Sequence, residues 1–90
     1  MSNFKCNVLG VIDEVQAENT VSIIKIQVEQ WNKYPPKLAF RIYYKSEGGG
    51  YLIGKIASLD KLLLKQCIED RWIEKALEII DNYSPPNSIF

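Results

Sequence analysis

Two adjacent prolines and three adjacent glycines bracket the middle of this chain and leave it few folds. The stretch WNKYPPKLAFRIYYKSEGGGYLIGKIAS, Trp31 to Ser58, reads as turn, strand, turn, strand and helix start. Proline fixes φ and cannot donate to a β-ladder, so Asn32-Lys33-Tyr34-Pro35-Pro36 falls between strands. Leu38 to Lys45 follows as a strand, with successive side chains on opposite faces. Leu38, Phe40, Ile42 and Tyr44 form a core face, and Lys37, Ala39, Arg41, Tyr43 and Lys45 form the other. Gly48-Gly49-Gly50 supplies a loop that tolerates positive φ. Tyr51 to Ala57 returns as a strand, with Tyr51, Ile53, Lys55 and Ala57 on one face and Leu52, Gly54 and Ile56 on the other. Ser58 is read as a helix cap.

The second face of the Leu38–Lys45 strand alternates cations with an aromatic ring. Lysine and arginine neutralise phosphates, and aromatic rings stack on unpaired bases. Such a face is a candidate platform for single-stranded nucleic acid. The competing reading is an ordinary solvated strand face, with Arg41 paired to Glu29 across strands.

Upstream, residues 4–12 read as a strand with Phe4, Cys6, Val8 and Ile12 on one face and Gly10 marking a bulge or close contact. Residues 13–19 are polar and read as a connection, with an extension of the strand to Val15 left open. Thr20 to Trp31 is rich in β-branched residues and forms the next strand. Ile24, Ile26 and Val28 face one way; Lys25, Gln27, Glu29 and Trp31 face the other.

Leu59 to Tyr83 is helical in composition, but its apolar stripe shifts. Leu59, Leu62, Leu63, Leu64, Cys67 and Ile68 cover one arc. Trp72, Ile73, Ala76, Leu77, Ile79, Ile80 and Tyr83 cover another. Either the helix breaks near Glu69-Asp70, or one long helix buries two faces, the second against another subunit. Ser84-Pro85-Pro86 ends the helix, and residues 84–90 are expected to be a loose tail unless Ile89 and Phe90 dock.

The expected fold is therefore α+β: a four-stranded antiparallel sheet followed by a C-terminal helical segment, β-β-β-β-α. Ninety residues make one domain, 1–90, with its core in 4–83. So short a chain buries limited surface, and a homodimer through the helical segment would supply the rest.

The chain has no histidine, the commonest general base and metal ligand. No P-loop follows the glycines, and the carboxylates form no paired site. Cys6 and Cys67 lack metal-ligand spacing and read as small buried hydrophobes. An enzyme is not expected, nor a metal or cofactor. No apolar run is long enough for a membrane span, and no signal peptide is visible, so a cytoplasmic protein is expected.

Lysine plus arginine balance aspartate plus glutamate over the whole chain. The distribution is uneven. Residues 20–56 hold six cations against Glu29 and Glu47, a charge of +4, whereas residues 1–19 and 57–90 carry −2 each. A basic sheet and an acidic helical segment can focus a positive field on one surface.

The stretch WNKYPPKLAFRIY, 31–43, resembles the central segment of bacterial members of the positive-cofactor-4-like family, the transcriptional coactivator p15 family. Those proteins show a W-N turn, a Pro-Lys pair, and an apolar-x-apolar-Arg strand with an aromatic two residues on. Gly54-Lys55-Ile56-Ala57-Ser58-Leu59 resembles their Gly-Lys segment entering a short strand and a capped helix. The resemblance covers roughly residues 21–80. It departs at Ala39, where the family often has a polar group, at Ile56 in place of a glycine, at the glycine triplet and in the longer helical segment. It implies a homodimer, packed through its helices, that binds single-stranded DNA on its sheets, in transcription or replication, with RNA left open. Trp31, Tyr43 and Tyr51 would stack on bases; Lys25, Lys37, Arg41, Lys45 and Lys55 would meet phosphates. The alternative is a small protein–protein interaction module, such as a phage- or plasmid-encoded inhibitor, acting through the apolar helix and the sheet. A mixed-charge sheet beside an apolar helix patch would favour it.

Overall fold

A computed structural model describes residues 6–17 and 21–83. The expected α+β arrangement is present: strands β1 (Cys6–Gln16), β2 (Ser22–Trp31), β3 (Lys37–Lys45) and β4 (Tyr51–Ile56), then helices α1 (Lys61–Glu69) and α2 (Trp72–Asp81). The strands form one antiparallel sheet in the order β1-β2-β3-β4, each joined to its neighbour along the chain. Both long turns use residues at positive φ, Asn32 after β2 and Gly49 after β3. No helix among the described residues is long and apolar enough to cross a membrane.

β1 differs most from the sequence reading. It runs through Asp13–Gln16, which were expected to be a connection, and its register shifts twice, between Val8 and Gly10 and between Val11 and Asp13. Each bulge adds a residue and resets which side chains face in. Cys6 and Val8 pair with Trp31 and Glu29 on the outer face, whereas Ile12 and Val15 pack against the core. The expected common face of Cys6, Val8 and Ile12 is thus split; Phe4 and Thr20 lie outside the described residues. Gly10 does mark a close approach: a Cβ there would meet Ile79 Cδ1 at 2.9 Å.

β4 also shifts register. Tyr43 pairs with Ile53, but Arg41 pairs with Ile56, one residue further than regular pairing gives. Ile56, not Lys55, therefore stands opposite Arg41 on the outer face. Ala57, expected on the Tyr51 face, turns into the core instead, its N–H donating to the Phe40 carbonyl at 2.7 Å.

The core lies between the sheet's inner face and the helices. Ile24, Ile26, Ala57, Cys67 and Trp72 are buried, flanked by Phe40, Ile42 and Leu63. Trp72 has no exposed surface. It packs edge-on to Phe40 at 5.7 Å, and its indole N–H donates to Asp13 Oδ2 at 3.2 Å. Cys67 is the small buried hydrophobe expected, but Cys6 is only half-buried, and both thiols are free.

The helical segment is two helices. Asp60, not Ser58, caps α1, its carboxylate accepting from Leu63 N–H at 2.9 Å. α1 ends at Asp70, and Arg71 adopts the left-handed conformation, φ 57°, before α2 begins. The break turns Trp72 into the sheet. A break with both halves seated on the sheet would have hidden both apolar arcs within one chain. Only α2 is seated on the sheet, and even there Ile73 and Leu77 stay exposed; α2 is the half that anchors the segment. It packs on β1, β2 and β3, whereas α1 packs chiefly against α2 and reaches the core through Leu63 and Cys67.

Gly54 sits where its own Cβ would strike the Tyr44 ring and lie 2.8 Å from the Ile42 carbonyl oxygen. Gly54→Ala is expected to destabilise the fold by about 1–3 kcal/mol, read as a lower urea midpoint. Gly10→Ala should cost less, because the atom it meets is the movable end of Ile79.

Candidate functional site: the outer sheet face

Four of the proposed nucleic-acid contacts, Lys25, Trp31, Arg41 and Tyr43, come together at the centre of the outer face. Trp31 and Arg41 turn to Glu29 and Tyr43 to Gln27, while Lys25 lies over the Tyr43 ring beside Glu14. The β2–β3 register sets Lys25 opposite Arg41, Gln27 opposite Ala39 and Glu29 opposite Lys37. Arg41 therefore reaches Glu29 along a diagonal past the Gln27–Ala39 pair. Small Ala39, opposite Gln27, leaves room for that reach.

The Arg41–Glu29 contact is bidentate. Nε donates to Oε2 at 3.0 Å and Nη2 to Oε1 at 2.6 Å, while Nη1 donates to the Gly54 carbonyl at 3.2 Å. Trp31 Nε1 donates to Glu29 Oε1 at 3.0 Å, and Gln27 Nε2 to Oε2 at 2.6 Å. The Glu29 side chain is 2% exposed and that of Arg41 14%. The guanidinium also lies over the Trp31 ring, 5.6 Å from its centroid. A fork-shaped cation on a carboxylate is the strongest ordinary polar contact in a protein, and here it is largely out of water.

Its neighbours are tied in as well. Gln27 Nε2 donates to Tyr43 Oη at 3.0 Å, and Gln27 Oε1 is buried with no partner among the described residues. Lys25 stands over the Tyr43 ring at 4.8 Å and 3.6 Å from Glu14. Burial alone would raise the Glu29 pKa. The hydrogen bonds from Arg41, Trp31 and Gln27 outweigh it and hold the carboxyl below its ordinary value. The bond to Glu29 in turn raises Arg41 above its own, against the opposing effect of burial. Burial and the Glu29 charge push the Cys6 thiol up, so it is held protonated beside them.

The other four candidates lie apart from this centre. Lys37, Lys45, Tyr51 and Lys55 are exposed along β3 and β4. The three lysines make no ion pair among the described residues. Tyr51 stands directly opposite Lys45, so these two form the one outward-facing cation–aromatic pair in the register. Lys55 lies beside the register shift. Glu29 is the hub that the candidate set left out, although a lone carboxylate between Gln27 and Trp31 on a cationic face was visible in the sequence. No group of three or more metal-ligating side chains occurs among the described residues.

The helix side is different in kind. Leu62 and Ile68 are about three-quarters exposed, at 76% and 77%, and Leu64, Ile73 and Leu77 are at least half exposed. Leu64/Ile68 on α1 and Ile73/Leu77 on α2 are i,i+4 pairs, so each helix carries an apolar ridge into solvent. Shallow hollows beside Leu9 and Ile79, and beside Val11 and Lys75, lie between β1 and α2.

No family model, no curated protein and no solved structure matches this chain. The resemblance noted in the sequence therefore rests on residues 31–59 themselves.

Removing Arg41 would leave Glu29 buried and unpaired. Arg41→Ala is expected to lower stability by about 3–5 kcal/mol by chemical denaturation. Arg41→Lys should recover only part of it, since an ammonium lacks the fork. Because the Glu29 pKa is lowered on folding, its contribution is fully present above the unfolded carboxylate pKa. It is lost as pH falls through the lower folded value. The acid-unfolding difference between the natural chain and Glu29→Gln should therefore shrink below about pH 4. A difference that stays constant down to pH 2 would contradict the assignment.

Proposed function

We propose that this chain is a non-enzymatic association module that assembles with a second copy through its helix pair. The observation that carries the reading is the α1 ridge: Leu62, Leu64 and Ile68 stand in solvent on a helix whose opposite side, Leu63 and Cys67, already meets the core. A small soluble domain rarely exposes so much clustered aliphatic surface without a partner for it. The outer face fits the same reading, since its central charges compensate each other and leave a mixed-charge sheet. Light scattering at micromolar concentration is expected to give the mass of two chains, and Ile68→Lys the mass of one with unchanged circular dichroism. A single-chain mass for the natural protein would remove the reading.

One observation favours a second activity, binding of single-stranded nucleic acid along β3 and β4. Lys45 and Tyr51 face each other in solvent, with Lys37 on the same strand face. A backbone phosphate on the lysine and a base on the ring would suit this pair. In anisotropy titrations with single-stranded and duplex oligonucleotides, the single strand should bind more tightly. Lys45→Ala should flatten the salt dependence by about one phosphate contact. Tyr51→Ala should lose affinity with the salt slope kept. Equal affinity of both variants and the natural chain would end this reading.

A further inference from the structure

β4 is the least covered element of the fold. It lies at the sheet edge with β3 as its one neighbour, and the helices pack over β1, β2 and β3 rather than over it. Its apolar side chains are open on both faces: Leu52, opposite Tyr44 on the inner side, is 62% exposed, and Ile53 and Ile56 on the outer side are each 52% exposed. The opposite edge is guarded. β1 carries two bulges and places Asp13 and Glu14 within the strand, features that discourage pairing with another chain. On β4, Tyr51, Leu52 and Ile53 pair regularly with β3, its one register shift lies beyond them at Gly54–Lys55, and the strand's single charge is Lys55.

We propose that the free edge of β4 pairs antiparallel with β4 of a second copy, joining two four-stranded sheets into one of eight strands with all helices on the same side. This rests on the self-association proposed above and states where the second copy sits. Antiparallel pairing of a strand with itself is two-fold symmetric by construction, so one edge serves both copies. The chain passes from β4 through Ala57 to α1 within a few residues, and the two-fold axis sets both α1 helices on one side of the joined sheet, flanking the paired strands rather than lying over them. On β4 the exposed parts of Leu52, Ile53 and Ile56 amount to roughly 220 Å² of apolar surface. That is about half the apolar share of a stable interface, which takes about 800 Å² from each partner, and the α1 ridges on the same side of the joined sheet hold a comparable amount.

Pairing along Tyr51–Lys55 puts Ile53 of each copy at or next to the two-fold axis, directly or diagonally across from its counterpart. Like charges placed there repel, and opposite charges attract. Ile53 is half exposed, so a charge at this position leaves the monomer fold intact, which circular dichroism would verify. Ile53→Lys alone and Ile53→Glu alone should each raise the dissociation constant at least tenfold in sedimentation or light scattering. Mixing the two variants should restore a two-chain species, at higher affinity in low salt than in high. If each variant alone still associates like the natural chain, or the mixture fails to recover, the β4 edge is not the contact. Should the natural chain keep its two-chain mass in that case, self-association through the helices stands without it. A natural chain of single-chain mass would end both.

Discussion

The fold depends on seating one side chain, Trp72. An indole of that size, fully enclosed, is the largest apolar contribution to the core, and it must still satisfy its N–H. Asp13 supplies the acceptor from the far edge of the sheet, and β1 needs its second bulge to turn Asp13 to the inner side. Phe40 supplies the ring edge, and the helix break at Arg71 supplies the angle of entry. A straight helix from Leu59 to Tyr83 would point its two apolar arcs in different directions, only one of them at the sheet. The left-handed residue instead rotates α2 so that Trp72 and Ala76 go down onto the strands. α1 stays outside, held by Leu63 and Cys67. The exposed ridge of α1 is thus a consequence of how Trp72 is accommodated.

The outer face meets a separate constraint. A single-layer sheet exposes one whole face, and a carboxylate there is ordinarily solvated. Glu29 is instead roofed by the side chains that bind it, Arg41, Trp31 and Gln27, and this small polar cluster rigidifies the β2–β3 ladder. Satisfied in this way the network is stabilising; deprived of one member it leaves a charge in a dry place. The guanidinium that looked free to meet phosphate has a fixed internal partner, and binding through it would require giving up that partner. The cations that remain available lie along β3 and β4, away from the central cluster.

Most of this architecture was legible in the sequence because it is local. The proline block, the glycine triplet and the strict alternation of 38–45 set β2, β3 and β4 almost residue by residue, and the shift of the apolar stripe left a break near Glu69-Asp70 as one of two readings. What escaped was set by register. Two bulges in β1 and one in β4 exchange which residues face inward, and no periodicity in a short strand announces an inserted residue. Cys6, Val8, Ile56 and Ala57 changed sides for that reason. The site was misjudged for a related one. Alternation assigned Lys25, Arg41 and Tyr43 correctly to one face, and the competing reading, Arg41 paired to Glu29, is the one the structure has; what stayed hidden is that the pair lies on a diagonal past Ala39 and draws in Trp31 and Gln27.

The balance of charge follows from the same geometry. The +4 of residues 20–56 is a property of the chain, and the folded surface modifies it. Glu29 neutralises Arg41 at the centre, and Glu14, brought over by β1, stands by Lys25. The positive field expected of the segment is thereby reduced to exposed lysines, Lys33 in the turn after β2 and Lys37, Lys45 and Lys55 on the strands. The aliphatic surface, by contrast, survives folding uncompensated, on α1, on the Ile73–Leu77 side of α2 and on β4. A charged side chain left in water costs little, whereas apolar surface left in water costs free energy in proportion to its area. The strongest unmet demand of this fold is therefore burial of its helix and β4 surfaces, which favours association over electrostatic capture as the interaction it is built for.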